Sequence, residues 1–330
     1  MEKIQVNLEK CKEIGEIVKK LKFRPSFYQR DFISFKSNEE TKLRVYLYSA
    51  AICHQTKSLV NKKLNLVGWD FIEHVFLGLA ENESKLLDPT YLAGLEVEGL
   101  ARKLKRLFSE SGVCSLDRLE ERAKFMIDIG KKLRENYSGK IRNLVGETNN
   151  FLINNGRGLY EILDKFEAFS DPLRKKIMVF IKFSLDAGLI KLKDPENLVP
   201  MTDYHMQRVL LRTGCVEVLD QTLKQKLINK EKIKSDDEIR KASIEAIKII
   251  SAVSGYTVLE MNDFFWPLGR SCCKEKTLCT DKTCNKNPCT FNLVVDLPSH
   301  SECVFQGICK GSLYVEYRKY WEPTVETHYY

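Results

Sequence analysis

Cysteine gathers near the C-terminus: Cys273, Cys279, Cys284 and Cys289 fall within seventeen residues that also hold Lys274, Lys276, Lys282 and Lys286 and almost no apolar side chains. Such a stretch buries too little surface to offset the entropy of ordering it, so its shape needs another source. Four thiolates can hold either zinc or an iron-sulfur cluster, and spacing alone does not separate the two. Cys272 is an alternative first ligand, giving intervals of six, four and four intervening residues where Cys273 gives five, four and four. Cys303 and Cys309 could replace one ligand or lie free. The lysines between the ligands would offer a phosphate-binding surface, or neutralise an anionic thiolate cluster.

A second constellation surrounds Asp203, in the string Leu198-Val199-Pro200-Met201-Thr202-Asp203-Tyr204-His205-Met206-Gln207-Arg208. Pro200 disfavours a helical Val199, and Thr202 or Asp203 can cap the helix that follows. A carboxylate at that entrance lies against backbone N–H groups and the positive end of the helix, as a reaction that builds positive charge on a sugar requires. It could steady an oxocarbenium-like centre and orient water, as carboxylates do in glycoside hydrolysis. Plain N-capping accounts for the same residue without any chemistry.

Helical periodicity dominates the elements that must position these residues. It predicts helices over residues 3–21, 42–64, 89–110, 117–135, 174–187 and 203–213, and one after Ser235, which forms a capping box with Glu238. Residues 138–170, with Asn149, Asn150, Asn154, Asn155, Gly156 and Gly158, read as loops around short helical pieces and place a lobe boundary or a substrate-facing loop there. Only Tyr256–Leu259 and Phe291–Val295 look strand-like. The expected architecture is all-α and two-lobed: an N-terminal and first helical lobe over 1–150, a second lobe over 151–265 carrying Asp203, and a cysteine-rich metal loop with the tail over 266–330.

With 43% hydrophobic residues the 330-residue chain can build a substantial core. Fifty-three Lys and Arg against forty-five Asp and Glu leave +8, which favours a polyanionic partner, nucleic acid or phosphate. Eleven cysteines, an odd number, and the lack of an apolar leader argue against a secreted disulfide framework. No apolar stretch is long enough to span a bilayer. The expected compartment is the cytoplasm.

The Asp203 segment resembles the Asp-Thr-His, Arg-Val, Arg pattern of the helix-hairpin-helix DNA glycosylase superfamily typified by endonuclease III, matched by Asp203, His205, Arg208, Val209 and Arg212. Residues 46–56 resemble that family's early helix ending in Gln-Thr beside the base pocket. The resemblance implies a catalytic Asp203, with Gln55 and His54 near an extruded base and His205 and Arg208 in the site. Lys175 aligns with the family's Schiff-base lysine, and Arg174 and Lys176 would contact phosphate in place of the hairpin glycines, which this chain lacks. Tyr204, Phe264, Phe265 or Trp266 would stack on the base. It also implies a [4Fe-4S] loop at the four cysteines, typically spaced six, two and five, of which only the first interval is met; zinc is the alternative. Damaged DNA would be the substrate.

Other segments are similar to the queuosine nucleotide N-glycosylase, or queuosine salvage, family: Glu120-Glu121-Arg122 leading to Gly130-Lys131-Lys132-Leu133, Phe169 to Phe180, Thr202-Asp203-Tyr204, Leu227 to Ile250, and Asn262-Asp263-Phe264-Phe265-Trp266. Its catalytic aspartate again maps to Asp203, and it implies a free modified nucleoside monophosphate as substrate. Both resemblances imply hydrolysis of a base-to-ribose C–N bond.

Overall fold

The computed structural model describes residues 3–24, 30–297 and 300–330. Its principal helices are α1 (Leu8–Val18), α2 (Glu39–Ala51), α3 (Trp69–Glu81), α4 (Pro89–Ala93), α5 (Val97–Leu107), α6 (Leu119–Tyr137), α7 (Lys175–Asp186), α8 (Tyr204–Thr213), α9 (Asp237–Ser254) and α10 (Val258–Pro267). The described strands are two or three residues long and pair only in twos, so the all-α expectation holds.

Two compact units divide the chain, one formed by Met1–Gln29 and Val199–Glu326 and the other by Arg30–Leu198 and Thr327–Tyr330. The break expected near residue 150 therefore falls inside the second of these. The Asn- and Gly-rich stretch does form loops around Ile141–Glu147 and Leu159–Leu163, but they are tied into their own unit: Asp194 accepts the Leu152 and Ile153 N–H groups at 2.8 and 3.1 Å.

In the unit formed by the N-terminal residues and Val199–Glu326, β1 (Ile4–Val6) pairs antiparallel with β2 (Val216–Val218), Ile4 opposite Val218. The helix expected from residue 3 thus begins only at Leu8, where the Asn7 side chain accepts the Lys10 N–H at 3.0 Å. The buried stripe of α1 (Cys11, Ile14, Val18) meets Met206, Val209 and Leu210 of α8, Ile247 and Ile250 of α9, and Phe264 and Phe265 of α10 in one core. Ser235 accepts the Asp237 N–H at 3.1 Å and forms no box with Glu238. The reciprocal box belongs to Thr257 and Glu260, so residues 256–259 open α10 where a strand was expected. Residues 291–295 likewise lie mostly in a short helix, Thr290–Val294.

In the other unit α2 is enclosed almost all round, burying Val45, Tyr46, Leu47, Tyr48, Ala50 and Ala51. It ends at Ala51, well before Leu64, because residues 56–67 form a single 3-10 turn and a small hairpin. Helix α6 packs on α4 and α5 and meets α4 at Gly130, where an added Cβ would lie 2.8 Å from the Pro89 carbonyl oxygen and 3.0 Å from the Ala93 nitrogen. Both obstacles are backbone and cannot rotate away. Gly130→Ala is expected to lower the unfolding free energy by about 1–3 kcal/mol, the usual range for overpacking, as measured by urea titration.

Candidate functional site

The turn Pro200-Met201-Thr202 delivers Asp203 to the mouth of α8 in an extended conformation, where its Oδ1 accepts the Met206 N–H at 3.1 Å and its carbonyl accepts the Gln207 N–H at 3.0 Å. The side chain is buried, only 6% exposed. Tyr204 and His205 follow with ring centroids 4.3 Å apart, and the His205 ring meets Trp266 edge-on at 6.4 Å. Asp203, Tyr204, His205 and Trp266, all candidates from the sequence, therefore belong to one neighbourhood. Phe264 and Phe265 are not available for stacking, because both are fully enclosed and pack on Phe305. Sequence reasoning missed Gln207, which donates to buried Asp236 at 2.9 Å.

Arg208 is turned inward, not toward a ligand. Its guanidinium is completely buried, donating to the Cys273 carbonyl at 2.9 Å and the Gly269 carbonyl at 2.7 Å, lying 3.1 Å from His205 Nδ1, and pairing with Glu322. Burial lowers its pKa to about 10, and the positive charge of Arg212 adds to the shift. Arg212 extends the clamp to the carbonyls of Lys274 at 2.8 Å and Tyr320 at 2.9 Å. Trp321 covers both guanidinium groups, at 4.9 and 5.8 Å. The Arg-Val-Arg spacing thus fastens α8 to the segment entering the cysteine region, and the substrate-binding expectation for Arg208 gives way to that role. Gly269 permits the approach, since a Cβ there would sit 2.7 Å from the His205 carbonyl oxygen.

A separate charged cluster forms in the other unit. His54 is fully buried with Nδ1 3.1 Å from Lys176 Nζ and Nε2 2.9 Å from Glu121 Oε1. A neutral ring that accepts from the ammonium at Nδ1 carries its proton on Nε2, on the side of Glu121. Burial, followed by the Lys176 charge, drives the His54 pKa far below the usual imidazole range. Lys176 also donates to the Ala51 carbonyl at 2.7 Å, and burial lowers its pKa to about 7. Arg122 fixes the turn that carries His54, donating to the carbonyls of His54 and Asp117 at 2.8 Å and to Asp117 Oδ1 at 2.7 Å.

The fully buried lysine of this turn is Lys176, not the Lys175 that aligned with a Schiff-base lysine. Lys175 is half-buried, with Nζ 3.4 Å from Cys53 Sγ. Arg174 lies over the Tyr160 ring at 4.3 Å and 3.7 Å from Asp164. Gln55, expected beside a base, donates from its backbone and side chain to the Tyr330 carbonyl at 3.0 and 3.2 Å.

Near the C-terminus the ligand atoms of Cys272, Cys284, Cys289 and His300 all lie within 4.8 Å of one another, a group able to hold a metal ion. The alternative first ligand replaces Cys273, and His300 replaces Cys279; the histidine, eleven residues beyond Cys289, follows no cysteine spacing and carries no local signal. Cys273 accepts from Arg212 at 3.5 Å instead. Burial pushes up the thiols of Cys303 and Cys309, the latter to about 12, and nearby Cys273 and Cys279 add to both shifts.

A model of the queuosine salvage protein family matches residues 62–262, more than half of the chain. The chain belongs to the queuosine salvage protein family. No curated protein matches it significantly. The family match spans α3 to the first half of α10 and includes Lys175, Lys176 and Asp203, while His54 and the cysteine group lie outside it. Of the two resemblances read from the sequence, this supports queuosine salvage and gives the helix-hairpin-helix comparison no support. A groove of about 460 Å³ lined by Phe71, His74, Leu79 and Leu107 holds none of the residues singled out for chemistry. No single helix among the described residues is long and apolar enough to cross a membrane.

The Lys176 shift gives stability a pH signature. Between pH about 7, where the native amine loses its proton, and 10.5, the ordinary value, the unfolded chain binds one more proton than the folded one. Unfolding free energy should therefore rise with pH across that window, by up to about 1.4 kcal/mol per unit. Urea titrations of wild type and Lys176→Met will check this: the variant should lose the slope, and an unchanged slope would show that this amine titrates normally.

Proposed function

We propose that the protein is an N-glycosidase that hydrolyses the bond between base and ribose in a queuosine-type nucleoside 5′-monophosphate. The family match across Asp203 carries this reading. The buried carboxylate at the mouth of α8 supplies the chemistry, because the Met206 N–H and the field of the helix favour its negative charge.

Water adds to C1′ while the C1′–N bond breaks and its electron pair leaves on the base nitrogen. Asp203 balances the positive charge that builds on the sugar and takes the proton that water gives up. The leaving nitrogen regains a proton from solvent. Tyr204, His205 and Trp266 supply aromatic surface beside the carboxylate, suited to hold a planar base. A free nucleotide is favoured over DNA because the queuosine salvage match spans Asp203, while the helix-hairpin-helix comparison has no support.

Free base released from queuosine 5′-monophosphate, from the nucleoside and from damaged oligonucleotides, followed chromatographically, tests the proposal. Release should be fastest from the monophosphate. Asp203→Asn, which keeps a capping oxygen, should retain nucleotide binding and lower kcat by about 10²–10³ or more, the range for losing a principal charge-stabilising group. Equal turnover by the variant, or base release only from DNA, would refute the assignment.

A further inference from the structure

We propose that Cys272, Cys284, Cys289 and His300 hold one zinc ion, which staples the C-terminal segment to the layer supporting α8. The sulfur atoms stand 3.7 Å (Cys272 to Cys284), 3.6 Å (Cys272 to Cys289) and 3.7 Å (Cys284 to Cys289) apart. Thiolates bound to one tetrahedral ion with Zn–S bonds near 2.3 Å are separated by about 3.8 Å. His300 Nε2 lies 3.7 Å from the Cys272 sulfur, close to the about 3.5 Å edge that mixed Zn–S and Zn–N bonds give. Its 2.7 Å approach to the Cys284 sulfur must open on metal binding. In a [4Fe-4S] cluster each thiolate binds a different iron, so the ligand sulfurs stand much farther apart than on one ion. The iron-sulfur expectation therefore does not suit this set, whereas three cysteines and one histidine form a structural zinc donor set.

The backbone is organised for this convergence. Ser271, just before Cys272, accepts at its carbonyl from the backbone N–H of Asn285 at 2.8 Å and its side-chain amide at 3.0 Å, and at its hydroxyl from the Thr290 N–H at 3.0 Å. Those donors follow Cys284 and Cys289 directly, so one serine gathers all three cysteines. Between Cys273 and Cys289 only Leu278 is a buried aliphatic residue, too little to order the stretch. The ion supplies the missing constraint, and the Arg208 and Arg212 contacts to the carbonyls of Gly269, Cys273 and Lys274 pass it to α8.

Elemental analysis of the full-length protein, expressed with zinc and purified without chelator, should find bound zinc, and zinc X-ray absorption should show three sulfur neighbours and one nitrogen. Cys284→Ser and His300→Ala should each lose one zinc per chain relative to wild type, and Cys114→Ser none. Because a ligand variant can fail to fold, the wild-type protein is also titrated with a chelator: zinc release should raise amide hydrogen exchange around residues 271–290 and leave α6 unchanged. Iron with acid-labile sulfide in place of zinc, full zinc in the His300 variant, or chelation that leaves exchange at 271–290 unaltered would overturn the proposal.

Discussion

The buried guanidinium of Arg208 is the interaction on which the Asp203 neighbourhood depends. A charge taken wholly out of water is tolerated only when partners surround it, and removing one partner of such a set costs about 3–5 kcal/mol. Here the partners come from three stretches: His205 on α8 itself, the carbonyls of Gly269 and Cys273, and Glu322 near the C-terminus. A single side chain thus fixes the first turn of α8, the entry to the cysteine region and the tail together. Arg212 repeats the arrangement one turn later, with Trp321 laid across both. The rigid fork of arginine suits this work, since it can reach several carbonyls at fixed angles where lysine offers a point charge.

The cluster around Lys176 follows the opposite rule. Its neighbours are a neutral histidine, a carbonyl and an aromatic ring rather than an enclosing carboxylate pair, so burial acts on the amine itself and moves its proton affinity. Arg208 keeps its charge by collecting acceptors, and Lys176 gives way because it has few.

Much of the local structure was legible in the sequence because its causes are local. Pro200 followed by Thr202-Asp203 announces a capped helix, and α8 starts there; the apolar spacing of α6 and α9 follows from burying one face. The same reading erred where a competing local signal was passed over, as at Thr257-x-x-Glu260, whose capping box turns a β-rich stretch into the start of α10. What the sequence hid depends on distant partners. His300 joins Cys272 only through the folding of twenty-seven intervening residues, and the inward turn of Arg208 needs Glu322, more than a hundred residues away. The residue pattern around Asp203 fitted two families because both resemblances imply the same bond chemistry at that aspartate, and the match over 62–262 supports the queuosine salvage one.

The pairing of Ile4–Val6 with Val216–Val218 has a consequence for synthesis on the ribosome. Residues 30–198, whose contacts are largely among themselves, emerge as an almost complete unit while the first strand still lacks its mate. That short apolar edge must be kept from other chains for some two hundred residues of translation, a delay of roughly ten to forty seconds at ordinary elongation rates. The α1 helix directly behind the strand waits as well, because the Cys11, Ile14 and Val18 stripe packs on α8, α9 and α10, all of which are made later.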